Sequence, residues 1–252
     1  QMFGLQKEVV LVTGGNRGIG KGVALQMAQA GASVVIMGRN QKQLDAVVKE
    51  IEAGGGKAMA VVADVTKKRQ VQAGVKEAVA RYGKISVLVN NAGIGDATPT
   101  EKITQKRMNE LLTTNVTSVV TVTQAVLPHL KKNGEGTIIN MQSTTTHQGS
   151  AGALHYGVTK GAVGSYTMGL AKEQAPNNIR VVGLTPGFID TELSSWIHSE
   201  PGAYEKVVGS TPRGRLGTAK DIGSAAVFLA SKGADFMTGT TLIMDGGVMN
   251  HD

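Results

Sequence analysis

Short, wholly apolar runs alternate along the chain with longer stretches in which apolar residues recur at helical spacing. An apolar run of four to eight residues is typical of a strand buried on both faces, and helical spacing is typical of an amphipathic helix. The runs predict strands at 9–13, 33–37, 57–64, 85–90, 137–143, 179–185 and 240–245. The spacing predicts helices at 18–30, 41–53, 67–82, 103–131, 153–175 and 219–231, with Pro128 bending or ending the fourth. Residues 187–218 are expected to be rich in loops.

This alternation predicts the fold class. Strands without polar alternation, each followed by a helix, indicate a parallel sheet with right-handed crossovers and helices on both faces. We therefore expect an α/β protein with a Rossmann-type, doubly wound, seven-stranded parallel sheet. No repeat or Pro/Ser-rich linker interrupts the pattern, so residues 1–252 are predicted to form a single domain.

Composition narrows the class further. Hydrophobic residues make up 41% of the chain and charged residues 18%, as in ordinary globular proteins. The chain has no cysteine, which excludes disulfides, thiolate zinc sites and a cysteine nucleophile, and is compatible with the cytoplasmic location that we expect. No apolar run reaches about 18 residues and no signal pattern opens the chain, so no membrane span is expected. No metal-ligand spacing is present, and no metal is expected.

The formal net charge is +7, but the basic residues are scattered. The runs Lys67-Lys68-Arg69 and Lys131-Lys132 are short, and aromatic residues make up only 4% of the chain. A nucleic-acid partner is therefore not expected. A basic surface also attracts phosphorylated cofactors and acidic carriers.

The first predicted strand runs directly into TGGNRGIG, residues 13–20. Glycines between a strand and a helix allow a phosphate to approach the backbone, where the helix amides and dipole favour an anion. Glycines also permit close packing of a helix on a strand, but the position after the first strand favours a dinucleotide site.

The spacing Gly14-x-x-x-Gly18-x-Gly20 resembles the TGxxxGxG pattern of the short-chain dehydrogenase/reductase family, and the resemblance covers the whole chain. Further motifs follow in the family's order: Asp64, NNAG at 90–93, Asn115, Ser143, Tyr156 with Lys160 as YxxxK, and PGFIDT at 186–191. The chain is similar in particular to 3-oxoacyl-[acyl-carrier-protein] reductase-like and carbonyl reductase members. Gln142 and Val182 depart from the family, in which many members have serine and asparagine there, and effects on loop support only are expected.

Tyr156 and Lys160 are four residues apart on a predicted helix, so they share one face. Reduction of a carbonyl needs a proton on its oxygen, and oxidation of an alcohol needs that proton removed. Tyrosine has a reference pKa of about 10, and a cation one turn away, together with the positive charge of an oxidised nicotinamide, favours the phenolate and lowers that pKa. His155 is expected to point elsewhere on the helix, and His147 to border the substrate loop.

The resemblance implies a catalytic set, Asn115, Ser143, Tyr156 and Lys160. In it Tyr156 is the general acid/base and Lys160 also holds the nicotinamide ribose. Ser143 bonds the substrate oxygen, and Asn115 holds a water that links Lys160 to solvent. It also implies the cofactor-binding residues Gly14, Asn16, Arg17, Gly18, Ile19, Gly20, Arg39, Asn40, Asp64, Val65, Asn91, Ala92, Gly93, Tyr156, Lys160, Pro186, Gly187, Ile189 and Thr191.

The end of the second strand predicts which cofactor is used. An acidic residue there would bond the adenosine ribose hydroxyls and repel a 2′-phosphate. Gly38 occupies that position, followed by Arg39, and Arg17 lies in the glycine turn. Two guanidinium groups without a carboxylate indicate a phosphate pocket, so NADP(H) is predicted and NAD(H) is less favoured.

Residues 187–212 are expected to form a lid over the substrate. Phe188, Leu193 and Trp196 favour a mainly apolar ketone or alcohol, although Trp196 could instead pack the lid against the body. One alternative is a 3-oxoacyl-[acyl-carrier-protein] reductase, for which Lys131, Lys132 and Lys172 could meet an acyl carrier protein. A steroid or polyol dehydrogenase and a cofactor-sensing protein are the others, and the intact catalytic set argues against the sensor.

The helices at 103–131 and 153–175 carry more apolar residues than one sheet face needs. Family members commonly pair these helices between subunits. The resemblance therefore implies a homotetramer, with residues 248–252 near a neighbouring chain.

Overall fold

The structure is a computed structural model that describes residues 3–250. Within that range seven strands form one sheet: β1 (Val9–Thr13), β2 (Ser33–Gly38), β3 (Lys57–Val62), β4 (Val87–Asn90), β5 (Gly136–Met141), β6 (Ile179–Pro186) and β7 (Thr241–Met244). All neighbouring pairs are parallel, in the order β3-β2-β1-β4-β5-β6-β7. The predicted seven-stranded parallel sheet is confirmed.

Helices cover both faces of this sheet. In the described range they are α1 (Gly18–Gln29), α2 (Gln41–Ala53), α3 (Lys68–Tyr82), α4 (Gln105–Leu112), α5 (Ser118–Asn133), α6 (Leu154–Gln174), α7 (Trp196–Ser199), α8 (Ala203–Gly209) and α9 (Ala219–Ala230). The core under α1, α2 and α9 receives Val10 and Val12, whereas Leu11 points into the core under α3, α5 and α6. Each face needs its own apolar residues, which is why the strands show no polar alternation.

The strand order reverses between β1 and β4. From β1 the chain builds outward to β2 and β3, then crosses back to β4 and builds in the other direction. The carboxyl ends of parallel strands lie at one edge, and the loops that leave β1 and β4 diverge there. Doubly wound sheets bind their ligands in the crevice that this divergence opens.

Several boundaries differ from those predicted. β3 ends at Val62 and β5 at Met141, so Asp64 and Ser143 lie in the loops beyond their strands. The segment 187–218 contains the short helices α7 and α8. Part of the segment 248–252, predicted to lie near a neighbouring chain, falls on residues 251–252, outside the described residues.

The helix predicted at 103–131 is two helices, α4 and α5, joined by a π-helical turn at Thr113–Thr117. The prediction that Pro128 could end it is wrong, because α5 continues to Asn133. Proline removes one backbone hydrogen bond. Val126 and Leu130 on either side of it are fully buried, so packing holds the helix together.

Candidate active site

The glycine turn between β1 and α1 requires glycine at two positions. Gly14 and Gly18 have φ values of 65° and 51°, in the left-handed region that favours glycine. A Cβ on Gly14 would lie 3.0 Å from Asn91 Nδ2, so the turn packs tightly on the loop after β4. No acidic residue lies in the first turn of α1, and the unpaired amides at its N-terminus favour an anion. The turn, with Asn16, Arg17, Ile19 and Gly20, fits a diphosphate.

Asn91 and Thr13 join this turn to β4. Asn91 Nδ2 donates to the carbonyls of Thr13 (3.0 Å) and Gly14 (3.3 Å). Thr13 Oγ1 accepts hydrogen bonds from the backbone amides of Asn91 and Ala92, both at 3.0 Å. Thr13 was missing from the predicted site, although it is the first residue of the TGxxxGxG pattern that located the turn.

Two exposed arginines flank the buried end of β2. Arg17 lies in the glycine turn, and Arg39 follows Gly38, ahead of Asn40, which caps α2. Neither guanidinium forms a salt bridge within 4.0 Å among residues 3–250. Both are therefore available to an anion that binds at this edge.

Asp64, followed by the buried Val65, lies after β3, close enough to Arg39 to feel its charge. Its Oδ1 accepts hydrogen bonds from the amide (2.9 Å) and hydroxyl (2.7 Å) of Thr66. Burial by itself would raise the pKa of Asp64, but the bonds from Thr66 and the charge of Arg39 outweigh it, and the pKa lies below its ordinary value. The carboxylate is thus ionised and held by its own loop.

Helix α6 presents Tyr156 and Lys160 on one face, as the spacing predicts. Lys160 Nζ donates to the carbonyl of Met141 at 2.8 Å and lies 5.6 Å from the centre of the Tyr156 ring. The lysine is only 5% exposed, and burial lowers its pKa to about 8. A group that titrates near neutral pH in a cleft is a common mark of a functional site.

Ser143 joins this pair from the loop after β5. Ser143 lies close enough to the Tyr156 hydroxyl to lower its pKa, but burial has the larger effect and raises that pKa to about 12. The predicted lowering of this pKa concerns Lys160 together with an oxidised nicotinamide and stays a prediction, whereas in the chain by itself the pKa is raised. The Lys160 ammonium donates to Met141 and does not offset the loss of water around the phenol.

Asn115 occupies the π-helical turn and ties it to two other elements. Its Oδ1 accepts from the amide of Ile94 (2.8 Å), and its Nδ2 donates to the carbonyl of Ile94 (2.9 Å) and to Thr159 Oγ1 (3.0 Å). A Cβ on Gly93 would lie 3.2 Å from Asn115 Oδ1 and 3.8 Å from Lys160 Nζ. Asn115, Ser143, Tyr156 and Lys160 are therefore brought together at the carboxyl edge of the sheet.

A partly buried ion pair, absent from the predicted site, holds the loop after β4. Arg107 Nε lies 2.8 Å from Asp96 Oδ2, and Arg107 Nη2 donates to the carbonyl of Gly95 at 2.7 Å. Burial would raise the pKa of Asp96, but its hydrogen bonds with Arg107 and Thr98 outweigh this and lower it. Sequence offers no signal for this pair, because Asp and Arg 11 residues apart are common on surfaces.

The segment after β6 returns to the glycine turn. Pro186 ends β6, Gly187 packs on Asp245, and Ile189 is buried. Thr191 Cβ lies 3.5 Å from the position that a Cβ on Gly18 would take. The predicted binding residues of this segment therefore reach the same crevice as α1.

The region predicted as a lid has a small core of its own. Ile197, Val207 and Leu216 are buried together, and Phe188 packs against them. The ring of Trp196 meets that of Phe188 edge-on, with centres 6.4 Å apart, so this tryptophan packs within the segment. Trp196 stays 40% exposed and Leu193 62% exposed. A Cβ on Gly95 would lie 3.1 Å from Leu193 Cδ1, which places Leu193 above the loop after β4.

Two histidines flank the catalytic elements. His147 Nε2 lies 3.3 Å from Thr185 Oγ1 on β6, whereas His155 Nε2 is buried and has no hydrogen-bond partner within residues 3–250. Nowhere in that range do three His, Cys, Asp or Glu side chains cluster as metal ligands. The same range contains no helix with the length and apolar character to cross a membrane.

A doubly wound parallel sheet with a glycine turn at its switch point defines a class of nucleotide-binding α/β proteins. Comparison with known proteins identifies the family within this class. The family model described as Enoyl-(Acyl carrier protein) reductase matches residues 14–249. The chain belongs to the short-chain dehydrogenase/reductase family.

Relatives in this family are similar over nearly the whole chain. Gluconate 5-dehydrogenase of Gluconobacter oxydans is 37% identical over 247 residues, which covers 98% of this chain and 96% of that protein. The 3-oxoacyl-[acyl-carrier-protein] reductase FabG of Chlamydia pneumoniae is 37% identical over 239 residues, with 95% and 96% covered. A crystal structure of a gluconate 5-dehydrogenase from Burkholderia cenocepacia, in complex with NADP and tartrate, superposes with a TM-score of 0.95 at 35% identity, covering 100% of this chain and 98% of that one.

Proposed function

We propose that this chain interconverts a ketone and a secondary alcohol with NADP(H), and that Tyr156 is the general acid/base. The proposal rests on one observation: Tyr156, Lys160 and Ser143 lie close together beside the glycine turn. When bound, the cofactor supplies or accepts the hydride. The residues of the chain bind the carbonyl compound and move the proton.

Each polar group in the proposed catalytic set has a separate task. Ser143 and the Tyr156 hydroxyl bond the carbonyl oxygen, and a phenol with a pKa of about 12 holds its proton until negative charge develops on that oxygen. Lys160 would hold the nicotinamide ribose when the cofactor is bound and would replenish the proton of Tyr156, for which its pKa of about 8 is well matched. Asn115 holds the loop after β4 in place, and the water that it is predicted to hold links Lys160 to solvent.

The residues at the end of β2 fit NADP(H) better than NAD(H). Arg17 and Arg39 have no salt-bridge partner in the described chain, and Gly38 offers no carboxylate to ribose hydroxyls. Two solved structures similar to this chain, from Burkholderia cenocepacia and Agrobacterium tumefaciens, contain bound NADP. We assign the remaining predicted cofactor contacts, from Asp64 to Thr191, to the same edge.

The exposed apolar side chains of Leu193 and Trp196 favour a ketone with an apolar substituent. The similarity to gluconate 5-dehydrogenases favours a second candidate, a sugar acid such as gluconate. The similarity to 3-oxoacyl-[acyl-carrier-protein] reductases keeps an acyl thioester, presented by an acyl carrier protein, as a third. A cytoplasmic location stays a prediction.

The experiment is a screen of NADPH oxidation with apolar ketones, 5-ketogluconate and 3-oxoacyl thioesters, together with NADP⁺ reduction by gluconate. On the best substrate, Tyr156→Phe should lower kcat at least about 100-fold and leave the Kd of NADPH unchanged, because only the proton donor is lost. Tyr82→Phe, on α3 away from the cleft, is the matched control. Retention of activity by Tyr156→Phe would remove the central assignment.

We also propose that the chain assembles as a homotetramer. Leu154, Val158 and Met168 on α6 are each about half exposed, which leaves an apolar strip on the outer face of that helix. Phe236 is fully exposed at the far end of the sheet, beside β7. Apolar surfaces of this kind are typical of contacts between subunits.

A further inference from the structure

A hydrogen bond between two amide side chains joins the segments that carry the two arginines. Asn16 Nδ2 donates to Gln43 Oε1 at 2.7 Å. Asn16 immediately precedes Arg17 in the glycine turn, and Gln43 lies in the first turn of α2, which begins two residues after Arg39. The backbone amide of Gln43 also donates to Asn40 Oδ1 at 3.1 Å, so Gln43 belongs to the cap of the helix.

The same bond decides what fits at Gly38. Because Asn16 Nδ2 is engaged by Gln43, Asn16 Oδ1 points toward the end of β2. A Cβ on Gly38 would lie 2.8 Å from Asn16 Oδ1, closer than real side chains approach. The φ of Gly38 is not positive, so the backbone would accept another residue. The obstacle is the amide oxygen of Asn16, which would also repel a carboxylate.

We propose that the Asn16–Gln43 pair determines cofactor specificity as a positioning contact. It excludes a carboxylate from the end of β2, and it holds the segments of Arg17 and Arg39 at the separation that a ribose 2′-phosphate needs. The ligand class is a nucleotide with a 2′-phosphate. Both amides are neutral, so they position the arginines without repelling the phosphate. This inference rests on the proposed NADP(H) dependence.

Calorimetric binding to the full-length protein tests it, with NADP⁺, NAD⁺ and adenosine 2′,5′-bisphosphate as probes. Gln43→Met keeps the length of the side chain and removes the acceptor. Because a net hydrogen bond is worth about 0.5–1.5 kcal/mol, this variant should bind NADP⁺ and the bisphosphate about 3- to 10-fold more weakly, with NAD⁺ unchanged. Gln41→Met is the control, because Gln41 lies in the same turn but bonds Asp45.

A second pair of variants tests the obstacle at Gly38. Gly38→Asp should gain NAD⁺ affinity only weakly while Gln43 holds Asn16. Adding Gln43→Met frees Asn16 to rotate, so the double variant should bind NAD⁺ about 3- to 10-fold more tightly than Gly38→Asp alone. Equal NAD⁺ affinity of these two variants would overturn the proposed steric role.

The outcomes separate this inference from the proposed function. A wild-type protein that binds NAD⁺ as tightly as NADP⁺ overturns the cofactor assignment itself. A wild type that prefers NADP⁺, with the same preference in Gln43→Met, overturns only the role of the amide pair. Gln43 is exposed and lies outside the core, so a change of preference in Gln43→Met does not result from misfolding.

Discussion

The ammonium of Lys160 should make the folded protein less stable than it would be with an apolar residue there. We predict that Lys160→Met raises the melting temperature at pH 7 while it removes activity. Methionine has a similar length and fills the same buried space without a charge. Active sites often keep groups that function needs and that stability disfavours.

The magnitude follows from the pKa of Lys160, about 8 in the folded protein against 10.5 for an ordinary lysine. One pKa unit corresponds to about 1.4 kcal/mol, so burial of the charged ammonium costs about 3 kcal/mol at neutral pH. The lost bond to the carbonyl of Met141 offsets about 1–2 kcal/mol of this gain. A net gain of about 1–2 kcal/mol should raise the melting temperature by about 2–8 °C in a chain of this size.

The pH dependence gives the sharper measurement. Below pH 8 the lysine is charged in both folded and unfolded states, so the wild type bears the full penalty. Between pH 8 and 10.5 the folded state has released its proton and the unfolded state has not, so the penalty falls as pH rises. Thermal unfolding of wild type and Lys160→Met at pH 7 and pH 10 should therefore show a gap that shrinks or reverses.

Lys172→Met is the matched control, because Lys172 lies on the same helix and is exposed. Its melting temperature should follow the wild type at both pH values. If Lys160→Met is less stable than the wild type at pH 7, or if the gap does not change with pH, then the buried ammonium is not the destabilising group and the reasoning is wrong.

Three further predictions concern binding, stability and assembly. Arg39→Leu should weaken NADPH about 10- to 150-fold and spare NADH, because a bond to a charged group is worth about 1.5–3 kcal/mol; fluorescence titration with both cofactors measures the ratio. Arg107→Ala should lower the free energy of unfolding in urea by about 1–2 kcal/mol at pH 7, because Asp96, whose side chain is 4% exposed, loses a partner that is itself 35% exposed and partly screened by water. The pKa of Asp96 is lowered below 3.8, so this loss is complete above that pH and should shrink as pH falls further, whereas exposed Arg69→Ala should change little at any pH. Light scattering at micromolar concentration should give the mass of four chains, and a monomer would refute the proposed assembly.

The sequence predicted the sheet and its helices because their signals are local. An apolar run such as VVLVT is typical of a strand in a sheet that helices cover on both faces. The glycine turn is also a local signal, because Gly14 and Gly18 adopt a backbone conformation that favours glycine. The catalytic residues were located by the spacing of motifs, which the order of strands and helices brings to one edge.

Other features depend on contacts that no local pattern encodes. The raised pKa of Tyr156 results from burial by distant parts of the chain, which the spacing to Lys160 does not encode. The approach of Asn16 to Gly38 depends on how α1 and α2 pack on β2. The ion pair of Arg107 with Asp96 joins residues whose types are common on any surface.

The π-helical turn at Thr113–Thr117 lies between α4 and α5 and changes the direction in which the side chains of α5 point relative to those of α4. Such a turn accommodates one residue more than an α-helical turn, and each residue rotates a helix by about 100°. Deleting a single residue there other than Asn115 would leave every motif residue in the sequence. Yet it would rotate α5 relative to α4 and turn Val119, Val122 and Val126 away from the sheet. One extra residue at this turn therefore sets which face of α5 meets the sheet.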